Sequence, residues 1–218
     1  MRTYGQWCSL AKALDVVGDR WTLLVVRELF LQGPCRFTDL RNGLPGIASN
    51  LLSTRLKELE ESGIIRREAA PPPVATTLFH LTDLGRGLEP ALEALTGWGV
   101  RFKTELGVDE EFRAHWMTYP LRWVLEDSRP DDPPATIQLV AGGEPLALEV
   151  DGGEIRMRPG AVSPADLTIG GHPDMIMGLF LRKIPVAQAA AAGLQISGRV
   201  ALLRRVIRTT PDPVLAHL

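Results

Sequence analysis

Residues 36–67, RFTDLRNGLPGIASNLLSTRLKELEESGIIRR, carry the most specific pattern in the chain. They read as a short helix, a turn at Leu44-Pro45-Gly46, a second helix from about Ser49 to Ser62 and an arginine-bearing strand. The short helix begins near Thr38, where FTDL supplies a cap and an acidic first turn. The second helix stops at Gly63, because a glycine just past a helix end adopts positive φ at little steric cost.

Projected at about 100° per residue, Leu52, Leu56 and Leu59 form one apolar face, with Leu51 at its margin. Asn50, Ser53, Thr54 and Lys57 lie opposite, while Glu58, Glu60 and Glu61 gather in the last turns. Short polar side chains near a helix N-terminus can hydrogen-bond base edges or phosphates, and the terminal amides favour an anion. Acids confined to the far end stay clear of phosphates if only the first half enters a DNA major groove. The competing reading is an ordinary solvated amphipathic helix. Arg55 falls nearer the apolar side and suits either a phosphate contact or an intramolecular ion pair.

The flanking sequence favours the first reading. IIRRE and TLFHL are two short apolar or β-branched runs around Pro71-Pro72-Pro73, which together read as a hairpin. A helix pair followed by such a hairpin is a winged helix, with Arg66 and Arg67 placed to meet phosphates beside the groove helix. The alternative for both arginines is a solvated strand end. Upstream, Ser9 to Phe30 is helical with a break at Gly18, and Asp19 is the candidate N-cap of RWTLLVVRELF. Downstream, LTDLGRGLEPALEALTGWGVRFKTEL reads as one long helix, with Leu88, Leu92, Leu95 and Trp98 near helical spacing.

A length of 218 residues suits two domains. The net charge of −2 excludes a strongly basic nucleic-acid binder, and residues 1–105 hold 13 Lys+Arg against 12 Asp+Glu. Any DNA affinity must come from local placement of charge. No window is apolar enough for a membrane span and the N-terminus has no signal-peptide core, so the expected location is cytoplasmic and no membrane partner is implied. Two cysteines, Cys8 and Cys35, are too few for a disulfide framework or a cysteine-rich metal site.

Beyond about residue 107 the composition shifts. Residues 109–127 read as an amphipathic helix and SRPDDPP as a turn. ATIQLV, LALEV and EIRMR form an antiparallel meander joined at Gly-Gly turns. ADLTIGG adds a strand, PDMIMGLFLRK and VAQAAAAG are helical, LQISG is a short strand and VALLRRVI a last helix.

Two resemblances organise these readings. Cys8, GDRWTLLVVREL (18–29), RFTDL (36–40), LPGIASNLLSTRLKELEESGIIRR (44–67) and LFHLTDLG (78–85) resemble the HxlR-type winged helix-turn-helix transcriptional regulators in order and spacing. The resemblance implies a homodimer whose terminal helices pack together and whose groove helices face a pseudo-palindromic site on double-stranded DNA. It implies regulation of nearby genes, as repressor or activator, and a cysteine at Cys8 that serves some members as an electrophile or oxidant sensor. For Cys8 the competing reading is a small thiol buried in the dimer contact. One departure is the wing, where PPPVATT is proline-rich and uncharged. The second half is similar to sterol-carrier-protein-like domains, chiefly through ADLTIGGHPDMIMGLFLRK (166–183) and LQISGRVALLRRV (194–206).

The expected fold is therefore α+β. Residues 1–106 form a winged helix-turn-helix domain for DNA binding and dimerisation. Residues 107–218 form a sterol-carrier-like α/β domain with a mostly antiparallel sheet. The candidate DNA-binding set is Arg36, Thr38, Ser49, Asn50, Ser53, Thr54, Arg55, Lys57, Arg66 and Arg67. Met175, Ile176, Met177, Leu179, Phe180 and Leu181 are candidates for an apolar effector cavity, against the simpler reading that they are core. A lipid or small-hydrophobe carrier that uses its winged helix only to dimerise is the alternative function. His80, His115, His172 and His217 lack metal-ligand spacing, and no nucleophile elbow, phosphate loop or dinucleotide fingerprint occurs, so neither catalysis nor a cofactor is expected.

Overall fold

Helix α2 (Thr22–Gln32) supplies the scaffold on which the quoted segment folds, through buried Val25, Val26 and Leu29. The computed structural model describes residues 3–70, 76–102 and 110–210, and divides into two compact units, Met1–Glu93 and Ala94–Leu218. The prolines at the wing tip, the start of the helix expected over 109–127 and His217 lie outside the described residues.

In the first unit, α1 (Ser9–Val17) and α2 precede a two-residue strand β1 (Cys35–Arg36), α3 (Phe37–Asn42) and α4 (Ser49–Glu61). The hairpin β2 (Ile65–Ala69) and β3 (Thr77–Leu81) follows, then α5 (Asp83–Arg86). The three strands form an antiparallel sheet in the order β1-β3-β2. Strand β1 was not expected, since two residues are too short to show a period-2 pattern.

Two local expectations need correction. Asp19 does not cap α2 with its side chain: Trp21 holds the N-cap position at φ 78°, and the Asp19 carboxylate accepts from Arg55 instead. The single long helix after the hairpin is broken into α5 and α6 (Glu89–Gly99) at Gly87. At the break the Leu88 amide donates to the Gly85 carbonyl at 3.0 Å, and Pro90 has no N–H to carry the α5 ladder onward, while Thr82 fixes the start of α5 by accepting from the Gly85 amide at 3.1 Å.

The turn between α3 and α4 is tightly specified. Gly46 has φ 84° behind Pro45, and the Ile47 amide donates to the Leu44 carbonyl at 3.1 Å, a type II arrangement. At Gly43 a methyl group would overlap the buried Glu28 carboxylate, which accepts from Arg27 and Gln32 at 2.6 Å each. Gly43→Ala should therefore cost about 1–3 kcal/mol by overpacking. Urea unfolding checks this, and an unchanged midpoint would show that Glu28 can move aside freely.

In the second unit, a short 3-10 turn (Ala114–Met117) leads into α7 (Thr118–Val124). The helix expected over 109–127 is therefore much shorter. Residues 110–113 are not helical. The Ala114 amide donates to the Glu144 side chain at 2.9 Å, and Pro120 has no N–H to continue a helix from residue 116. Strands β4 (Ala135–Ala141), β5 (Glu144–Asp151) and β6 (Glu154–Pro159) form the expected meander. Its turns, Gly142-Gly143 and Gly152-Gly153, have positive φ at both residues, the twist a two-residue hairpin requires.

Strand β7 (Leu167–Gly171) then runs parallel to β4, and β8 (Gln195–Gly198) pairs antiparallel with β7. The sheet order is β6-β5-β4-β7-β8. Helices α8 (Pro173–Phe180), α9 (Val186–Ala191) and α10 (Leu202–Val206) complete the unit. Its core joins Ile137, Leu139 and Leu148 of the sheet to Leu121, Phe180 and Val206 of the helices.

Candidate nucleic-acid interface and apolar cleft

Helix α4 is anchored on one face and open on the other. Leu52, Leu56 and Leu59 are buried, whereas Ser49, Asn50, Ser53, Thr54 and Lys57 are exposed. Its C-terminus closes with the Gly63 amide donating to Glu60 and the Ile64 amide to Leu59, at 3.0 and 2.9 Å, as in a Schellman motif. Its N-terminus has Ala48 at the cap, which gives no side-chain bond. The Leu51 amide is met by the Asn50 side chain at 2.9 Å. Ser53 and Thr54 hydroxyls donate to the carbonyls four residues back, at 2.9 and 3.0 Å. Their oxygens remain acceptors on the exposed face, and the rotors are free to turn toward a new partner. Lys57 lies 3.7 Å from Glu61, a surface pair of small worth.

The arginines are less uniform than the sequence implied. Arg55 is turned inward: it donates to Asp19 at 2.8 Å, to the Arg20 carbonyl at 3.2 Å and to Glu58. Of its two alternatives, the intramolecular ion pair is the one formed. Arg67 forms an ion pair with Glu60 of α4 at 2.8 Å and lies 5.5 Å from the centre of the Phe79 ring, so it ties the wing to α4. Arg66 stands opposite His80 and pairs with Glu68, whose carboxyl it holds below the ordinary range. Arg36 is exposed at the start of α3, where its amide donates to Asp39 at 2.9 Å.

A depression of about 360 Å³ gathers Arg36, Thr38, Arg67, Thr76 and Thr77 between α3 and the hairpin. Local patterns do not reveal it, because Arg36 and Thr38 are about 40 positions from Thr76 and Thr77, and the β1-β3 and β2-β3 pairings bring them together with Arg67. Two guanidinium groups and three hydroxyls around one hollow suit a phosphate oxygen.

Cys8 is exposed at the N-cap of α1, and the Lys12 ammonium one turn on lies 3.8 Å from Asp15. Cys35 is buried, its Sγ donating to the Gly33 carbonyl at 3.2 Å. Burial, with the charges of Asp39 and Glu28, pushes its thiol up to about 12. Iodoacetamide should therefore alkylate Cys35 only after unfolding. Peptide mapping checks this, and rapid native modification of Cys35 would refute the buried placement. Protection of Cys8 in the same experiment would mark it as covered by a second subunit.

The second unit contains a half-open cleft of about 710 Å³. Met177 and Leu181 line it, as do Phe112, Trp116, Met117 and Pro120. Of the other residues proposed for an effector cavity, Ile176, Leu179 and Phe180 are buried in the core and Met175 packs half-buried against it. Among the described residues no cluster of His, Cys, Asp and Glu could hold a metal ion, and no helix is long and apolar enough to cross a membrane.

A helix-turn-helix with a β-hairpin wing and a polar groove helix defines the first unit as a winged helix-turn-helix. The chain belongs to the HxlR-like helix-turn-helix family, which it matches over residues 16–106. It is 36% identical over 91 residues to the HTH-type transcriptional regulator YvaP of Bacillus subtilis, covering 42% of this chain and 83% of that one. It is 30% identical over 94 residues to the HTH-type transcriptional regulator YodB of the same organism, covering 43% and 83%. Among solved structures, the transcription factor PA1607 is similar at 36% identity with a TM-score of 0.43, over 50% of this chain and 73% of that one.

Proposed function

We propose that the protein is a sequence-specific DNA-binding transcriptional regulator, acting in the cytoplasm as a homodimer on a pseudo-palindromic operator. The observation that carries this reading is the exposed row Asn50, Ser53, Thr54 and Lys57 on a helix whose opposite face is locked into the core. Membership of a family that includes HTH-type transcriptional regulators supports it. In this account Asn50, Ser53, Thr54 and Lys57 face base edges. Ser49 and the uncapped amides of α4 take a phosphate. Arg36, Thr38 and Arg67 grip the backbone at the hollow beside the wing, Arg66 reaches phosphate from the strand, and Arg55 holds α4 in its pose.

The dimer is inferred from uncovered apolar surface. Tyr4, Trp7, Leu10 and Leu14 are exposed on and before α1, and Leu95, Trp98 and Phe102 are exposed on and after α6. Trp7 is 100% exposed in the single chain, which a second copy would correct. Two α4 helices in one dimer also supply the affinity that a near-neutral domain lacks. We assign residues 1–106 to DNA binding and dimerisation, and residues 107–218 to a sterol-carrier-like domain whose hydrophobic ligand shifts DNA affinity. Such a shift requires different ligand affinities in the two states.

A mobility shift with the DNA upstream of the protein's own gene tests the reading. Binding should weaken steeply as salt rises, because each phosphate contact releases counterions. The second reading, a hydrophobe carrier that uses the winged helix only to dimerise, is favoured by the cleft. Native mass spectrometry that finds co-purifying lipid, together with no DNA retention at low salt, would select the carrier.

A further inference from the structure

The three acids in the last turns of α4 take no part in the contacts assigned to DNA, yet each has a cation beside it. Glu58 meets Arg55, whose side chain is only 13% exposed and also donates to Asp19 and the Arg20 carbonyl. That pair belongs to the packing of α4. Glu61 lies 3.7 Å from Lys57, too far for a hydrogen bond. Glu60 differs from both, because it reaches off the helix to Arg67 of β2 at 2.8 Å, and the Arg67 side chain is 46% exposed. Arg67 also lines the hollow beside the wing, with Arg36, Thr38, Thr76, Thr77 and Phe79. One guanidinium therefore stands between an internal carboxylate and a hollow suited to a phosphate oxygen.

We propose that Glu60 is an internal competitor of DNA phosphate. It holds Arg67 in the free protein and yields it when a duplex arrives, so it restrains DNA affinity. The proposal rests on reading the first unit as a DNA-binding module and adds a residue that sets its strength. A guanidinium binds carboxylate and phosphate oxygens by the same geometry, so one anion replaces another. Both side chains of the pair are well exposed, and the exchange needs only the turning of one long side chain. A pair of this kind is favoured by a factor of about two to five, which a polyanion can overcome. Once Arg67 has turned to the phosphate, the Glu60 carboxylate loses its 2.8 Å partner and faces a charge of like sign. This cost falls on every duplex alike, because backbone phosphates carry no sequence information. Affinity from phosphate contacts is thereby held down, and the exposed row Asn50, Ser53, Thr54 and Lys57 supplies a larger share of the whole.

The test is a double-mutant cycle read by mobility shift, with the DNA upstream of the protein's own gene and a scrambled duplex of equal length. Glu60→Gln keeps the size of the side chain and removes its charge. It should bind both duplexes about two- to fivefold more tightly than the parent, with a steeper loss of affinity as salt rises. The ratio between the two duplexes should stay as in the parent, and so should the urea midpoint. In an Arg67→Met background the same Glu60→Gln change should alter neither affinity. A gain that persists without Arg67 would overturn the exchange, since Glu60 would then act through net charge alone. Unchanged or weaker binding by Glu60→Gln would also overturn it, and weaker binding would mean that the pair positions the wing for DNA. Failure of the parent itself to retain either duplex at low salt would overturn the DNA-binding reading, and the competitor role with it.

Discussion

Replacing Arg205 with methionine should destabilise the second unit by about 3–5 kcal/mol, the usual cost of stranding one charge of a buried pair. Arg205 is 2% exposed in α10 and forms two parallel bonds to Asp127, Nε to Oδ1 at 2.7 Å and Nη2 to Oδ2 at 2.8 Å. A third guanidinium bond reaches the Pro133 carbonyl at 2.7 Å. The Asp127 carboxylate also accepts from the amides of Arg129 and Gly153, at 3.1 Å each. One pair thus fastens the last helix to the segment after α7 and to the β5-β6 turn, beside the antiparallel bridge Leu125–Ile207. Without Arg205, Asp127 remains buried with two amides as its only partners among these. Urea unfolding followed by tryptophan fluorescence checks the loss, and a change under about 1 kcal/mol would show the pair to be dispensable.

The same pair sets an acid limit. The Arg205 hydrogen bonds hold the Asp127 carboxyl at about 2, below its ordinary 3.8. Between those values the unfolded chain binds the proton and the folded chain does not. The stabilisation is therefore complete above the ordinary value and is lost as pH falls through about 2. Stability of the parent should decline in acid over this window, and the Arg205→Met variant should show a shallower decline.

The triple substitution Asn50→Ala, Ser53→Ala, Lys57→Ala should abolish discrimination between operator and scrambled DNA while leaving the fold intact. Base-edge contacts are worth about 1–3 kcal/mol each, so losing two or three lowers specific affinity by roughly 100-fold or more. The three side chains are exposed and make local bonds only, so the urea midpoint should stay near that of the parent. Lys57 is assigned to base edges, so the salt dependence, which the phosphate contacts set, should change little. Full affinity and specificity in the variant would exclude α4 as the reading element.

The helix pair and hairpin of the first unit were legible because they have local punctuation. Gly63 ends α4, Pro45-Gly46 fixes the turn, and the leucines at 52, 56 and 59 keep helical spacing against one core. The meander was legible for a similar reason, since Gly-Gly turns flank short apolar strands. Long-range features were not. Asp19 looks like a cap from its neighbours, yet its carboxylate serves Arg55, which lies 36 positions away. The helix expected over 109–127 is shortened because the Ala114 amide is claimed by Glu144, which lies 30 positions away. Arg205 is one of two adjacent arginines in LLRRV, and its buried role depends on a partner 78 positions earlier. For the site, periodicity placed Asn50, Ser53, Thr54 and Lys57 on one open face. It did not reveal the hollow shared by Arg36 and Arg67, nor which of the residues 175–181 are core, as Ile176, Leu179 and Phe180 are, and which line the cleft, as Met177 and Leu181 do.

The central claim is that two copies of α4 read DNA together. Hydroxyl-radical footprinting of the protein on the DNA upstream of its own gene tests it most directly. The account predicts two protected patches on one face of the duplex, centred about one helical turn or a whole multiple of it apart, over related half-sites. It predicts their joint loss in the Asn50, Ser53, Lys57 triple variant. Uniform protection that does not distinguish this DNA from a scrambled duplex, or a footprint that persists unchanged in the variant, would contradict it.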